Sequence, residues 1–211
     1  MSTPSDYTNN VFINCPFDPS YKPCFEAIVF AIHDCGFIPR CAREEDNAGD
    51  VRILKIMKII DECKYGIHDI SKADLDSNTK LARFNMPLEL GIFLGAHKYS
   101  SPHHYNKDKR TLIMDLEPYR YREFISDLGG QDVTGHHGNP EEMILNIRNF
   151  LITNSRRVTI ASGEFIFGRY SQFIQELPQI CDTLNWDRNN LTFIELSTCI
   201  AQWILNDSKE E

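Results

Sequence analysis

Residues 111–117 read TLIMDLE, and the run Leu112-Ile113-Met114 is apolar at every position. A strand with one wet face alternates apolar with polar residues. An unbroken apolar run closed by Asp115 and Glu117 therefore predicts a strand covered on both faces. Such strands belong to parallel sheets, whose crossovers lay helices over either side.

The segments upstream fit that frame. VFINCPF (11–17) is a β-branched and aromatic run ended by DPSYKP, a first strand. In residues 22–35, Phe25, Ile28, Val29 and Ile32 recur at helical spacing, and Gly36 then stops the helix. FIPRCA (37–42) is a second strand, placed at an edge or a bulge by Pro39. Ile53, Ile56, Met57 and Ile60 make one stripe of a second helix. YGIHDIS (65–71) is a third strand, followed by the loop KADLDSNTKLA and a helix through about Lys98. The alternation predicts an α/β fold, a flavodoxin-like three-layer α/β/α sandwich with right-handed crossovers and a mostly parallel sheet. After Glu117, PEEMILNIRNFLI, GEFIFGRYSQFIQELPQICDTLNW and LTFIELSTCIAQWIL read as helices, and no further strand is expected. This divides the chain into an α/β core over 10–118 and a helical part over 119–211. The latter either packs on the core or makes an oligomer contact.

The bulk properties exclude several classes. A net charge of −8 over 211 residues argues against duplex nucleic acid or an anionic membrane as partner. No stretch holds the ~20 apolar residues of a membrane span, and the first ten residues do not resemble a secretory signal. Seven cysteines without a C-x-x-C pair read as buried free thiols of a reducing cytoplasm. SPHH and GHHG each offer two histidines, but adjacent side chains diverge and no acid or thiol stands at ligand spacing. No metal is expected.

In open α/β sheets the ligand lies beyond the carboxyl ends of the strands. That edge collects Asn14, Cys15, Pro16, Phe17 and Asp18 after the first strand, and Arg43, Glu44 and Glu45 after the second. Asp69 and Ser71 follow the third. RFNMPLELG (83–91) starts the third helix from the same edge, with Asn85 as an expected cap and Pro87 in the first turn. Glu89 then sits one helical step from Met86, Ile92 and Phe93, unusual company for a carboxylate. Its helix N-terminus favours the charged form and its apolar neighbours the neutral one. An acid satisfying first-turn amides is the plain alternative, as is an Asx turn for Asp69. The expectation is that Asp69, Ser71 and Glu89 converge on one side of the sheet. Phe17 or Phe84 is a candidate to stack on a base, and Arg43 or Arg83 to pair with a phosphate. Beside these stand the plainer readings of Phe17 as a strand-end core residue, which is favoured, and of both arginines as solvated loop charges. Cys15 is read as a buried thiol.

The combination VFINCPFD, YGIHDIS and RFNMPLELGIFLGA resembles the superfamily joining nucleoside 2-deoxyribosyltransferases with TIR-like NAD-consuming domains. The resemblance covers roughly residues 10–118, and its most specific block is FNMPLELG. It implies that Glu89 attacks or stabilises the anomeric carbon of a ribose. Asp69 would hold the sugar or orient Glu89, and residues 14–18 would contact base or sugar. Asn85 and Met86 complete the expected substrate-facing set. The chain departs from both branches: RFNMP stands where transferases carry a Gly-rich acidic stretch, and the Ser and Trp-Cys pair of TIR-like enzymes are absent. By analogy the resemblance also implies an antiphage defence effector and a homo-oligomer.

The expected chemistry is cleavage or transfer at an N-glycosidic bond of a nucleotide or nucleoside. A carboxylate beneath the ring stabilises or traps the oxocarbenium-like transition state. No cofactor is expected, NAD entering only as a substrate. A cationic nicotinamide leaves without acid help, whereas a neutral base needs Asp69 or Glu44 as proton donor. The alternative is a non-catalytic module that senses a nucleotide signal in the same crevice.

Overall fold

The computed structural model describes residues 2–45, 47–73 and 80–207. Among them one all-parallel sheet contains β1 (Asn10–Asn14), β2 (Ile38–Cys41), β3 (Tyr65–Asp69), β4 (Arg110–Asp115) and β5 (Val133–Gly135). The strand order is β2-β1-β3-β4-β5, the flavodoxin-like order, which reverses between β1 and β3. The helices are α1 (Lys22–Asp34), α2 (Arg52–Asp61), α3 (Asn85–Tyr99), α4 (Pro140–Ser155), α5 (Gly163–Leu184) and α6 (Phe193–Asp207).

The apolar run of β4 divides between two cores. Leu112 and Met114 join the large cluster under α1 and α4, while Ile113 packs with Met86 and Leu90 of α3 on the other face. β1 does the same, with Val11 and Ile13 toward α1 and Phe12 toward Ile56, Ile59, Ile60 and Phe93. β2 is an edge strand, which accommodates Pro39. Gly66 of β3 is needed where α3 crosses the sheet: a Cβ there would lie 2.7 Å from the Phe93 ring.

Three differences from the sequence reading have physical causes. In α2 the buried residues are Ile56, Ile59 and Ile60, and Met57 is turned to solvent, so the stripe lies one step round from the expected one. The sheet does not end at 118, because β5 (VTG) pairs with β4 beyond it. Three half-buried residues carry no periodicity for a sequence reading to detect. Finally, Cys24 to Ile32 of α1 are all buried, not one stripe of them. The reason is an added layer: α5 and α6 lie over the outer side of α1 and contribute Phe173, Leu177, Phe193, Ile200 and Trp203 to the same cluster. The C-terminal part thus packs on the core and completes it.

Candidate functional site

At the carboxyl edge of the sheet the side chains sort into three groups. The first surrounds Glu89. α3 begins one residue earlier than the expected cap: Phe84 is the N-cap, Asn85 is the first helical residue, and no side chain caps the end. Glu89 is therefore the fifth residue of the helix, beyond the first turn, and α3 has no acid in that turn. The capping roles expected of Glu89 and of Asn85 both fall away. Glu89 is only 9 % exposed. Among the described residues none donates a hydrogen bond to it. It faces a cleft of about 210 Å³ lined by Arg52, Ile53, Ile56, Asn85, Leu88 and Glu89 itself. Burial raises its pKa from 4.5 to about 7, against the opposing pull of Arg52. Desolvation outweighs the helix end because the dipole acts mainly within the first turn.

Asn14 secures this arrangement. Its side-chain amide donates to the Met86 carbonyl at 2.8 Å and lies 3.0 Å from His68 Nδ1, tying the start of α3 to the ends of β1 and β3. With Nδ1 accepting, the His68 proton resides on Nε2, and burial, with the Lys109 charge, lowers the pKa to about 3. Met86 is itself buried against Ile113 and Tyr121.

The second group surrounds Asp69, which is fully buried. Its Oδ1 accepts the Ser71 amide at 2.7 Å, the expected Asx turn. Its Oδ2 accepts the Tyr21 hydroxyl and lies 3.0 Å from Nε2 of the fully buried His136. Asp69 shares its strand face with Tyr65 and Ile67, which look toward α1, whereas Glu89 rides on α3 across the sheet. The two acids share an edge but not a face, which corrects the expected convergence on one side. The buried Cys15 thiol, held well above its usual pKa by burial, feels both charges. Ser71 is buried too, and its carbonyl accepts Arg120 Nη2, a guanidinium that also grips Asp115 with Nε at 2.9 Å. Both residues are thus buried at the end of β3, with Asp69 engaged by Tyr21, Ser71 and His136.

The third group lines a pocket of about 260 Å³ bounded by Pro16, Phe17, Asp18, Lys22, Arg43 and the α5–α6 turn. Phe17 packs edge-on against Phe25, with ring centroids 5.4 Å apart, and carries the Arg43 guanidinium 5.0 Å above its ring. Asp18 pairs with Arg83 at 2.8 Å, joining the loop before α3 to the loop after β1. The expected site residues thus divide between this pocket (Pro16, Phe17, Asp18, Arg43), the Glu89 cleft (Asn85, with Asn14 and Met86 behind it) and the buried Asp69 group. Of the loop before α3, residues 74–79 lie outside the described residues.

Glu44 is engaged elsewhere, accepting Arg40 Nε at 2.8 Å and Nη2 at 2.6 Å. Sequence reasoning missed Arg52, Tyr21, His136 and Lys22. The two histidines of GHHG diverge in the fold, as adjacent residues should: His136 turns inward to Asp69 while His137 meets Glu142 at the surface, 2.7 Å away. Comparison of the chain with protein-family models, curated proteins and solved structures finds no match.

Proposed function

We propose that the protein cleaves or exchanges the N-glycosidic bond of a nucleotide, with Glu89 as the carboxylate that faces the ribose. The observation that carries this reading is Glu89 itself. It is a nearly buried acid with no hydrogen-bond partner among the described residues, at the ligand edge of a doubly wound sheet. Such a group costs stability and is found where charge develops during a reaction. A carboxylate in that setting stabilises an oxocarbenium-like ring strongly, because its burial limits competition from solvent.

The two acids expected to protonate a neutral base refine the substrate. Asp69 is sealed under Tyr21, Ser71 and His136, and Glu44 holds Arg40. Neither is free to protonate a neutral purine or pyrimidine as it leaves. A leaving group that is already cationic needs no such acid, which favours an NAD-like dinucleotide over a free deoxynucleoside. An effector that depletes or converts such a nucleotide during phage infection extends the same reading.

The test is chromatography of the purified protein after incubation with NAD, nucleotides and deoxynucleosides. Base release is expected from a substrate of the NAD type, at a rate that rises with pH through about 7 as Glu89 ionises. Loss of the carboxylate in Glu89→Gln is expected to reduce it by at least ~100-fold, as for removal of one transition-state-stabilising group. Undiminished turnover in Glu89→Gln overturns the assignment. Tight nucleotide binding without release of any base favours the sensor alternative.

A further inference from the structure

The pocket beside Phe17 carries an unbalanced charge. Its wall holds two acids, Asp18 and Glu26, and each is matched by its own cation. Arg83 Nη1 meets Asp18 Oδ1 at 2.8 Å, and Arg188 grips Glu26 in a two-pronged pair at 2.7 and 2.9 Å. Two further cations line the pocket, Lys22 and Arg43. Among the described residues no carboxylate pairs with Arg43, whose guanidinium rests on the Phe17 ring with its N–H groups unclaimed. Lys22 Nζ donates to the carbonyls of Arg188 at 2.8 Å and Asn189 at 3.1 Å, which leaves one of its three N–H bonds open. Asp187 accepts the Asn189 amide at 2.9 Å and the Asn190 side chain, keeps its charge and acts on Lys22. Two cations beside this one acid leave a local excess of positive charge in a chain of net charge −8, a setting that suits an anionic ligand.

We propose that this pocket is an anion subsite in which Arg43 and Lys22 hold the phosphate of a nucleotide whose N-glycosidic bond lies at Glu89. The identity of the ligand as a nucleotide rests on the function proposed above, and the charge arrangement stands apart from it. Three observations support the pairing. The volume, about 260 Å³, is below that of most whole-ligand pockets and suits a phosphate or diphosphate with part of a sugar. Arg43 presents a planar fork held in place by its stack on Phe17, the arrangement that suits phosphate oxygens. The two sites are also tied together, because Asp18 of this pocket pairs at 2.8 Å with Arg83, which stands just before Asn85 of the Glu89 cleft. The α5–α6 turn, which supplies Asn189 and Asn190 to the rim, becomes a specificity element contributed by the C-terminal helices.

The test separates this subsite from the chemistry. Binding is measured by calorimetry in Glu89→Gln protein, where turnover does not interfere, using adenosine, AMP and inorganic pyrophosphate as probes. AMP is expected to bind roughly tenfold to a hundredfold more tightly than adenosine, the range for charge-assisted phosphate contacts, and less tightly as salt is raised. Arg43→Gln and Lys22→Gln, each checked for an unchanged melting temperature, are expected to remove most of that preference. Pyrophosphate binding weakened by the same substitutions supports the subsite and assigns it to the phosphate alone. Equal binding of AMP and adenosine, binding of neither, or a preference that survives both substitutions overturns it. Base release by the native protein without any preference for phosphorylated substrates sinks the subsite and leaves the glycosidase reading standing. Phosphate preference without base release does the reverse.

Discussion

Glu89 is an acid whose charged form the fold disfavours. Burial penalises its charged form, so the folded protein holds the proton more tightly than the unfolded chain between pH 4.5 and about 7. Stability is therefore expected to fall as pH rises through that window. The loss is at most about 3 kcal/mol, since each tenfold difference in proton affinity is worth ~1.36 kcal/mol. Glu89→Gln removes the penalty. Urea unfolding at pH 8 is expected to show this variant more stable than the native protein, with the gap closing toward pH 4.5. A Glu89→Gln variant less stable at pH 8 means the carboxylate has structural partners after all. The residues that tune this site were unequally visible in the sequence. RFNMPLELG marked Glu89 by its apolar neighbours, whereas Arg52, 37 positions earlier, was invisible because it meets Glu89 only once α2 and α3 pack on the same face.

Elements carry the next level of constraint. The position of Glu89 depends on how α3 lies against the sheet, and two contacts define that. Asn14 ties the Met86 carbonyl to β1, and the bare Cα of Gly66 admits the Phe93 ring to β3. Gly66→Ala places a methyl 2.7 Å from that ring and from His68 Nε2, both fully buried, so neither can move aside cheaply. A loss of ~1–3 kcal/mol is expected, as for overpacked cores. Denaturant midpoints measure it, and a neutral Gly66→Ala shows that α3 can shift without cost. The existence and type of most elements were legible because the long helices carry apolar residues at helical spacing and the inner strands are short runs without it. The exceptions lacked one: β5 has three residues and no apolar pattern, and the start of α3 has no side-chain cap for sequence to reveal.

At the scale of the molecule, the C-terminal helices change what the sheet needs. Phe30 of α1 is fully buried against Tyr170, Phe173 and Trp203 of α5 and α6, with ring centroids 5.5 to 5.9 Å away. A chain truncated before Ser162 would expose that whole face of α1. It is expected to bind a hydrophobic dye and to lose cooperative unfolding, although β1 to β5 and α1 to α4 are all retained. A cooperative, monomeric truncated protein would show that residues 10–118 and their immediate cover fold alone. What the sequence by itself determined is the class of fold: unbroken apolar strands alternating with helical periods allow few arrangements other than a covered parallel sheet. It also marked the carboxyl edge of the sheet, because that edge follows from strand direction alone. Only the tertiary structure decided which acids remain available there. Asp69 is claimed by Tyr21 and His136, Glu44 by Arg40, and one oxygen of Asp18 by Arg83. Burial and pairing depend on the surrounding three dimensions, and no local pattern encodes them. Among the described residues, the same packing leaves Glu89 without a hydrogen-bond donor and Arg43 without an acid, and with Lys22 these are the charges on which the functional proposals rest.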